Sequence, residues 1–589
     1  MSLTPNQQHL RNIAIIAHVD HGKTTLVDAM LKQTKTFASY QKENQQSTIM
    51  DSNELERERG VTILAKNTSV FWHEYKINIL DTPGHADFSG EVERVLNMAD
   101  GCVLLVDAAE GVLSQTRFVL RLALELGLQP IVVINKVDRK DQRVTEVEHE
   151  VADLFLELAT REEQLEFPLL YARGIDGLAG RKLIEQEDHS FTIADTTDLT
   201  ALFETIISAV PAPTGDDTAP LQVQVTSLDF DGYKGKITIG RIARGTIKRG
   251  QTLSLIKHDG SLVRCTVEYL FVQSGLQRVE VDEAKAGEII AITGVPDPHI
   301  GETLTDPSTP EALPSIAISE PTVKIQISVN TSPFAGKDAT FSTSRQLRQR
   351  LDKELETNVG LRMLPGPTGE SVTLIGRGEL HLAILIETMR RESYEFSLSR
   401  PEVVIKEIDG QKCEPWEYVT IDVPEARTGF VTASMAQRRA ELKNLQQTKY
   451  GVRCEYEIST ANLIGYRNEM ITATSGEGVL NSAFLEYRPI TERSTWNRGG
   501  AIIAHETGSA TSYSIEKSQE RGKMFINPGD EVYAGQVVGI NNRQEDMAMN
   551  VVKGKKLTNM RAASADMMVV LAPAWKPSLE QFLVLIGED

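Results

Sequence analysis

Cysteine is scarce in this 589-residue chain: Cys102, Cys265, Cys413 and Cys454 lie far apart, with no CxxC spacing. So few cysteines, without the paired spacing of thiolate metal or redox motifs, make reduced structural thiols in a cytoplasmic protein the expectation. Long apolar runs are missing too. Nothing approaches the ~20 residues that cross a bilayer, and "VLLVD" and "IVVIN" have the length of buried strands, so no membrane partner is expected. The opening "MSLTPNQQHLRN" lacks the apolar core of a secretory leader. Nor is there an excess of positive charge. The net charge of −20 argues against wholesale wrapping of nucleic acid and leaves RNA contact to local patches. Two stretches carry basic residues and no acidic ones: Lys234–Arg249, "KGKITIGRIARGTIKR", and Lys553–Arg561, "KGKKLTNMR".

What is present is an ordinary globular composition, 41% hydrophobic and 24% charged, on a chain long enough for about four or five domains. The first 200 residues alternate strand-like and helix-like segments. Residues 12–17, 77–81, 103–107 and 131–135 read as buried parallel strands, and "QTRFVLRLALELG" as a helix stopped by Gly127. Such alternation predicts a doubly wound α/β sheet, with ligands at the carboxyl ends of its strands.

Four motifs fall at or between those ends. "AHVDHGKTT" (Ala17–Thr25) is a phosphate-binding loop with Ala17 at the first glycine position. Asp20, His21, Gly22, Lys23, Thr24 and Thr25 are its predicted phosphate contacts: backbone N–H groups cradle the anion, Lys23 neutralises it and the Thr24 hydroxyl faces Mg²⁺. Asp20 is also a candidate contact for a monovalent cation. "DTPGH" offers Asp81 to Mg²⁺ through water, and the Gly84 N–H to the γ-phosphate. "NKVD" (Asn135, Lys136, Val137, Asp138) reads guanine, because the Asp138 carboxylate accepts from N1 and N2, a donor pair adenine lacks. "ERERGVTI" (Glu56–Ile63) lies where a γ-phosphate-sensing switch belongs, with Thr62 completing the Mg²⁺ shell.

Together these motifs resemble the translational GTPases, the class that includes EF-Tu and EF-G. "GRGELHL", "SRPEVVIKEIDG", "EPWEYVTIDVP", "GYRNEMITATSGEG" and "GKKLTNMRA" look like its BipA/TypA branch. The resemblance implies a multidomain α/β and β fold: a P-loop G domain (1–210), an EF-Tu-like β-barrel (218–312) and EF-G-like α/β sandwiches at 320–398 and 400–484. A mostly β C-terminal domain (485–589) would follow. The linker "VPAPTGDDTAP" and the alternating pattern after it fit a barrel. Arg400 and Pro401 leave no room for the large domain that separates the sandwiches in EF-G. Glu379 and His381 sit two apart on a predicted helix, so they cannot share a face, and helix-start or packing roles are expected.

The resemblance further implies a monomer with several ribosomal partners: the 70S ribosome, 23S rRNA including the sarcin–ricin loop, and A-site tRNA. The RNA contacts would be Lys553, Lys555, Lys556, Thr558, Asn559 and Arg561. His85 stands where many small GTPases hold a glutamine. It is the predicted catalytic group, held back by an apolar gate of Val19 and Val61 until ribosomal RNA draws it inward. The implied function is ribosome-dependent GTP hydrolysis that aids large-subunit assembly or translation under stress such as low temperature. An elongation factor acting in every cycle, and an RNA-binding scaffold with vestigial hydrolysis, are the alternatives. One departure matters: the fifth guanine motif, usually Ser-Ala, reads Arg173-Gly174 in "YARGIDG". The Arg173 N–H is left to meet guanine O6, without a serine to brace the loop.

Overall fold

The computed structural model describes residues 5–18, 20–34, 54–59, 62, 65–83, 89–186, 191–314, 316, 321–337, 339–358, 360–448, 451–475, 478–490, 500–554 and 571–585. They form two compact units. The first runs to Pro321 and includes Gln349–Arg362 and Asn481–Ala483; the second holds the rest.

The first unit opens with a seven-stranded sheet of β1 (Leu10–Ala17), β2 (Lys66–Trp72), β3 (Tyr75–Asp81), β4 (Gly101–Asp107), β5 (Gln129–Asn135), β6 (Leu169–Arg173) and β7 (Leu178–Gly180). Its order is β2-β3-β1-β4-β5-β6-β7. The five central strands are parallel, and only the edge strands β2 and β7 run antiparallel. Continuous apolar runs suit strands covered on both faces. Along β1 the residues alternate between two cores. Ala14 and Ile16 pack with Val119, Leu120 and Phe155, whereas Ile13 and Ile15 pack with Leu26, Met30 and Phe203. The helix predicted over "QTRFVLRLALELG" spans Ser114–Glu125, with Gly127 beyond it in the left-handed region (φ 75°).

An eight-stranded antiparallel barrel-like sheet follows, from Gln222–Asp231 to Thr303–Thr305. The basic run Lys234–Arg249 lies on it, but its charges are taken up internally. Lys234 sits over the rings of Tyr269 and Phe271, and Lys236, Arg244, Lys248 and Arg249 pair with Asp297, Glu311, Glu283 and Glu280. Arg241 reaches out of the barrel to Asp100, at 2.5 Å, and to the carbonyls of Met98 and Ala99. The run is therefore a set of paired and ring-stacked cations, most of them at the surface, rather than a bare basic face.

The barrel meets the seven-stranded sheet through polar contacts. Asn12 and Asn78, register partners on β1 and β3, are fully buried. The Asn12 amide donates to Asp100 and to the Gly287 carbonyl, and Asn78 donates to Asn12 and to Glu288, which also pairs with Lys76. At the sheet edge, the Ser69 N–H of β2 donates to the Gly275 carbonyl, and the Gly275 N–H returns a bond to Ser69 Oγ. Burial pushes the Asp100 carboxyl above its usual range, although Arg241 opposes the shift.

In the second unit, Val323–Ser328 pairs with Val372–Gly376, Ser397–Leu398 and Glu402–Val403. The strand after Arg400 and Pro401 therefore still belongs to this first sandwich sheet, and the next sheet begins at Lys406–Ile408. A helix starts at Glu379, and His381 is buried on it, 3.4 Å from the Arg377 N–H. The C-terminal sheet centres on Ala501–Ala504 and Val537–Asn541. All four cysteines are buried and unpaired with one another, and burial pushes the Cys102 thiol up to about 12. Among the described residues no helix is long and apolar enough to cross a membrane.

Truncating Arg241 to alanine strands a largely buried carboxylate, so thermal unfolding should report a loss of roughly 3 kcal/mol. Adding Asp100→Asn should recover part of that loss. An unchanged midpoint in Arg241→Ala would remove the buried-pair assignment.

Candidate nucleotide site

The phosphate loop, Asp81 and the NKVD motif converge at the carboxyl end of the sheet, as its parallel order requires. After Ala17 the chain turns through Asp20 (φ 64°) and Gly22 (φ 93°) into the helix Lys23–Gln33. Gly22 is required twice over. Its backbone is left-handed, and a Cβ there would lie 2.5 Å from Asn135 Nδ2. The Lys23 side chain is buried, 3.1 Å from Asp81 Oδ1 and bonded to the Thr82 carbonyl. Thr24 and Thr25 stand half-buried on the first helical turn. The His21 side chain goes elsewhere. Fully buried, its Nδ1 lies 3.3 Å from both the Asp107 N–H and the Leu105 carbonyl, and Nε2 lies 3.4 Å from Glu110. His21 can therefore serve a phosphate only through its backbone.

The guanine motif is positioned by Asn135. Its Nδ2 donates to the His21 carbonyl and its Oδ1 accepts from the Gly174 N–H, each at 2.9 Å. One amide thus ties the phosphate loop, the end of β5 and the turn after β6. Lys136 is left-handed (φ 59°), and its Nζ donates to the Asp20 carbonyl at 2.5 Å and pairs with Asp107 at 2.9 Å. Val137 is fully buried in the core, so its side chain is a spacer and not a base contact. Asp138 stays open to solvent, with Arg173 Nε 3.8 Å from its Oδ1.

Sequence reasoning missed the charge cluster beneath Lys136. Asp107, the last residue of β4, accepts N–H bonds from Ala109 and Glu110 and pairs with Lys136 and with Arg139 at 3.2 Å. Arg139 also holds Asp141 at 2.7 Å. Burial would raise the Asp107 carboxyl, but the hydrogen bond from Lys136, the Ala109 N–H and the two cations hold it below its usual value. The His21 hydrogen bond lowers Glu110 in turn. The signal was available, because Asp107 ends a strand as Asp81 and Asn135 do, and Arg139 directly follows "NKVD".

Magnesium can be tested against the residues present. The Asp81 carboxylate is buried, with Oδ1 facing the Lys23 ammonium at 3.1 Å and Oδ2 left without a hydrogen-bond partner among the described residues, and Thr62 is buried too. A hard carboxylate oxygen left without a hydrogen bond suits this cation. His85, Gly84, Val19 and Val61 lie outside the described residues, as do Lys555, Lys556, Thr558, Asn559 and Arg561. Lys553 is described and exposed; its carbonyl accepts from the hydroxyls of Thr511 and Ser514.

Replacing Asp107 with alanine removes the shared anchor of Lys136 and Arg139. GDP and GTP affinities, measured by calorimetry, should both fall by about ten-fold. Unchanged dissociation constants would deny Asp107 this role.

Comparison with known proteins agrees with this geometry. Residues 8–212 match the model of the elongation factor Tu GTP-binding domain, 235–305 elongation factor Tu domain 2, 411–495 the elongation factor G C-terminus and 499–589 the TypA/BipA C-terminal domain. The large ribosomal subunit assembly factor BipA of Synechocystis sp. is 50% identical over 581 residues, covering 98% of this chain and 96% of its own length. The proteins of the same name from Salmonella typhimurium and Bacillus subtilis are each 48% identical, covering 99% and 98% of this chain and 94% and 93% of theirs. A crystal structure from Thermus thermophilus shares the fold, with a TM-score of 0.56 at 19% identity, covering 82% of this chain and 97% of that one. With an elongation-factor GTP-binding domain, a TypA/BipA C-terminal domain and about half of its residues shared with BipA proteins over nearly the whole length, the chain belongs to the TypA/BipA family of translational GTPases.

Proposed function

We propose that this chain is a ribosome-stimulated GTPase that aids assembly of the large (50S) ribosomal subunit and supports translation under stress such as low temperature. The observation that carries the reading is the match to BipA assembly factors across nearly the whole length of both chains. In this reading the GTP-bound form docks on the 70S ribosome near the A site, against 23S rRNA including the sarcin–ricin loop and against tRNA. Hydrolysis then lowers its affinity. The close succession of Val403 and Lys406, which leaves no space for a further domain between the two sandwich sheets, favours this over an every-cycle elongation factor.

The chemistry falls to few groups. Lys23 and the backbone of residues 20–25 bind the β- and γ-phosphates, with Gly84 at the γ end. Asp138 accepts from guanine N1 and N2, Lys136 covers the base with its stem, and the Arg173 N–H is assigned to O6. The Gly174 N–H is already committed to Asn135, which supports leaving that task to another donor. Magnesium bound with the nucleotide would neutralise phosphate charge, and Thr24, Thr62 and Asp81, the last through water, are the residues that would hold it. His85 orients and polarises the attacking water, and Val19 and Val61 bar its approach until RNA contact releases it. Phosphoryl transfer depends mainly on positioning and electrostatics, so a gate on one imidazole suffices to time the reaction.

Phosphate release by the protein alone should be slow and should rise strongly with 70S ribosomes. His85→Ala should remove most of that rise, about 10²–10⁴-fold, with GDP affinity retained. Full-speed turnover without ribosomes would overturn the timing mechanism. Ribosome binding should weaken with salt, and Lys555→Ala with Lys556→Ala should lower both the affinity and the salt slope. Sedimentation identical to the parent would remove the C-terminal loop from the RNA interface.

A further inference from the structure

Arg173 closes β6 one residue before the 3₁₀ turn Gly174–Asp176. Its Nη2 bonds Asp176 Oδ2 at 2.6 Å, which fixes the outer edge of the guanidinium. The inner edge is unfinished. Nε is shut off from solvent and has no hydrogen-bond acceptor among the described residues. The Asp138 Oδ1 atom lies 3.8 Å away, inside ion-pair range but too far for a hydrogen bond.

A carboxylate offers about four lone-pair directions, and a guanine edge bonded through N1 and N2 engages one on each oxygen. Oδ1 keeps a second, facing Arg173. In the open site the pair is weak, because Arg173 is 33% and Asp138 42% exposed and water screens both. A purine laid over Asp138 removes that water and strengthens the attraction. A small turn of the carboxylate then supplies the acceptor that Nε lacks, and fixes the plane in which Asp138 meets the base.

We propose that the Arg173 side chain, anchored by Asp176, is a positioning residue for base recognition, holding the Asp138 carboxylate square to the N1 and N2 groups of guanine. The arginine thereby supplies a charged brace where the sequence suggested that bracing was lost. The inference rests on Asp138 being the base-reading carboxylate.

The test compares GDP with inosine diphosphate, which lacks the 2-amino group, by calorimetry on the full chain. The parent should prefer GDP. Arg173→Ala should weaken GDP by about ten-fold and inosine diphosphate by less, so their ratio narrows. Arg173→Lys keeps the charge without the planar fork and should recover only part of the preference. Asp176→Asn, which loosens the anchor and leaves β6 intact, should shift the ratio in the same direction by a smaller factor. Equal losses for both nucleotides, or none, would reduce Arg173 to a structural role and overturn the proposal. A parent with no preference for GDP would instead overturn the reading of Asp138, and the proposal with it.

Discussion

The nucleotide site depends on a single buried amide. Asn135 is 2% exposed and uses its donor and its acceptor on two different loops, the turn at His21 and the turn at Gly174. Neither loop has a regular hydrogen-bond ladder at that point, so this planar group joins them, together with packing of the Gly174 turn against the helix after the phosphate loop. It also explains why Gly22 must lack a side chain, because the amide occupies the space a Cβ would need. The phosphate and base halves of the site are thereby registered to one another before any ligand arrives. Preorganisation of this kind reduces the ordering cost of binding.

Electrostatics distinguish the two ends of β4. Asp100, just ahead of the strand, is raised by burial, so its charged form weighs against the folded state and that cost is relieved as pH falls. Asp107, the last residue, is depressed in spite of burial by Lys136, the Ala109 N–H and Arg139. Its contribution is complete above the unfolded carboxyl pKa and is lost as pH falls through the lower folded one. Acidification therefore weakens the charge cluster beneath the nucleotide site while easing the strain at the barrel contact. One short strand carries opposite pH responses at its two termini.

Much of this was legible in the sequence, for identifiable reasons. β1, β3, β4 and β5 are apolar runs of strand length, and the motifs at their ends are local, so both could be read from neighbouring residues. The left-handed glycine and the helix stop at Gly127 were equally local. What escaped reading was contact between distant segments. Nothing near Lys234–Arg249 reveals that its cations meet acids from Asp100 to Glu311, or that Arg241 belongs to a domain contact. Asp107 looked like the end of a strand because its partners arrive some thirty residues later. Arg173 was seen as a lost serine, because one side-chain partner, Asp138, comes beside it only once β5 and β6 lie side by side, although Asp176 stands three residues on.

The exchange of hydrogen bonds between Ser69 and Gly275 bears on autonomy. β2 is the outermost strand of its sheet, and the barrel occupies the very position where another chain would add itself. Stripped of residues beyond about 210, the amino-terminal domain would expose the amides and carbonyls of that edge. Asn12 and Asn78 would each lose a barrel partner, Gly287 and Glu288, while keeping their bonds to Asp100 and to each other. Its borders as a structural unit are therefore wider than its borders as a nucleotide binder, because the second domain covers part of an edge otherwise open to strand pairing.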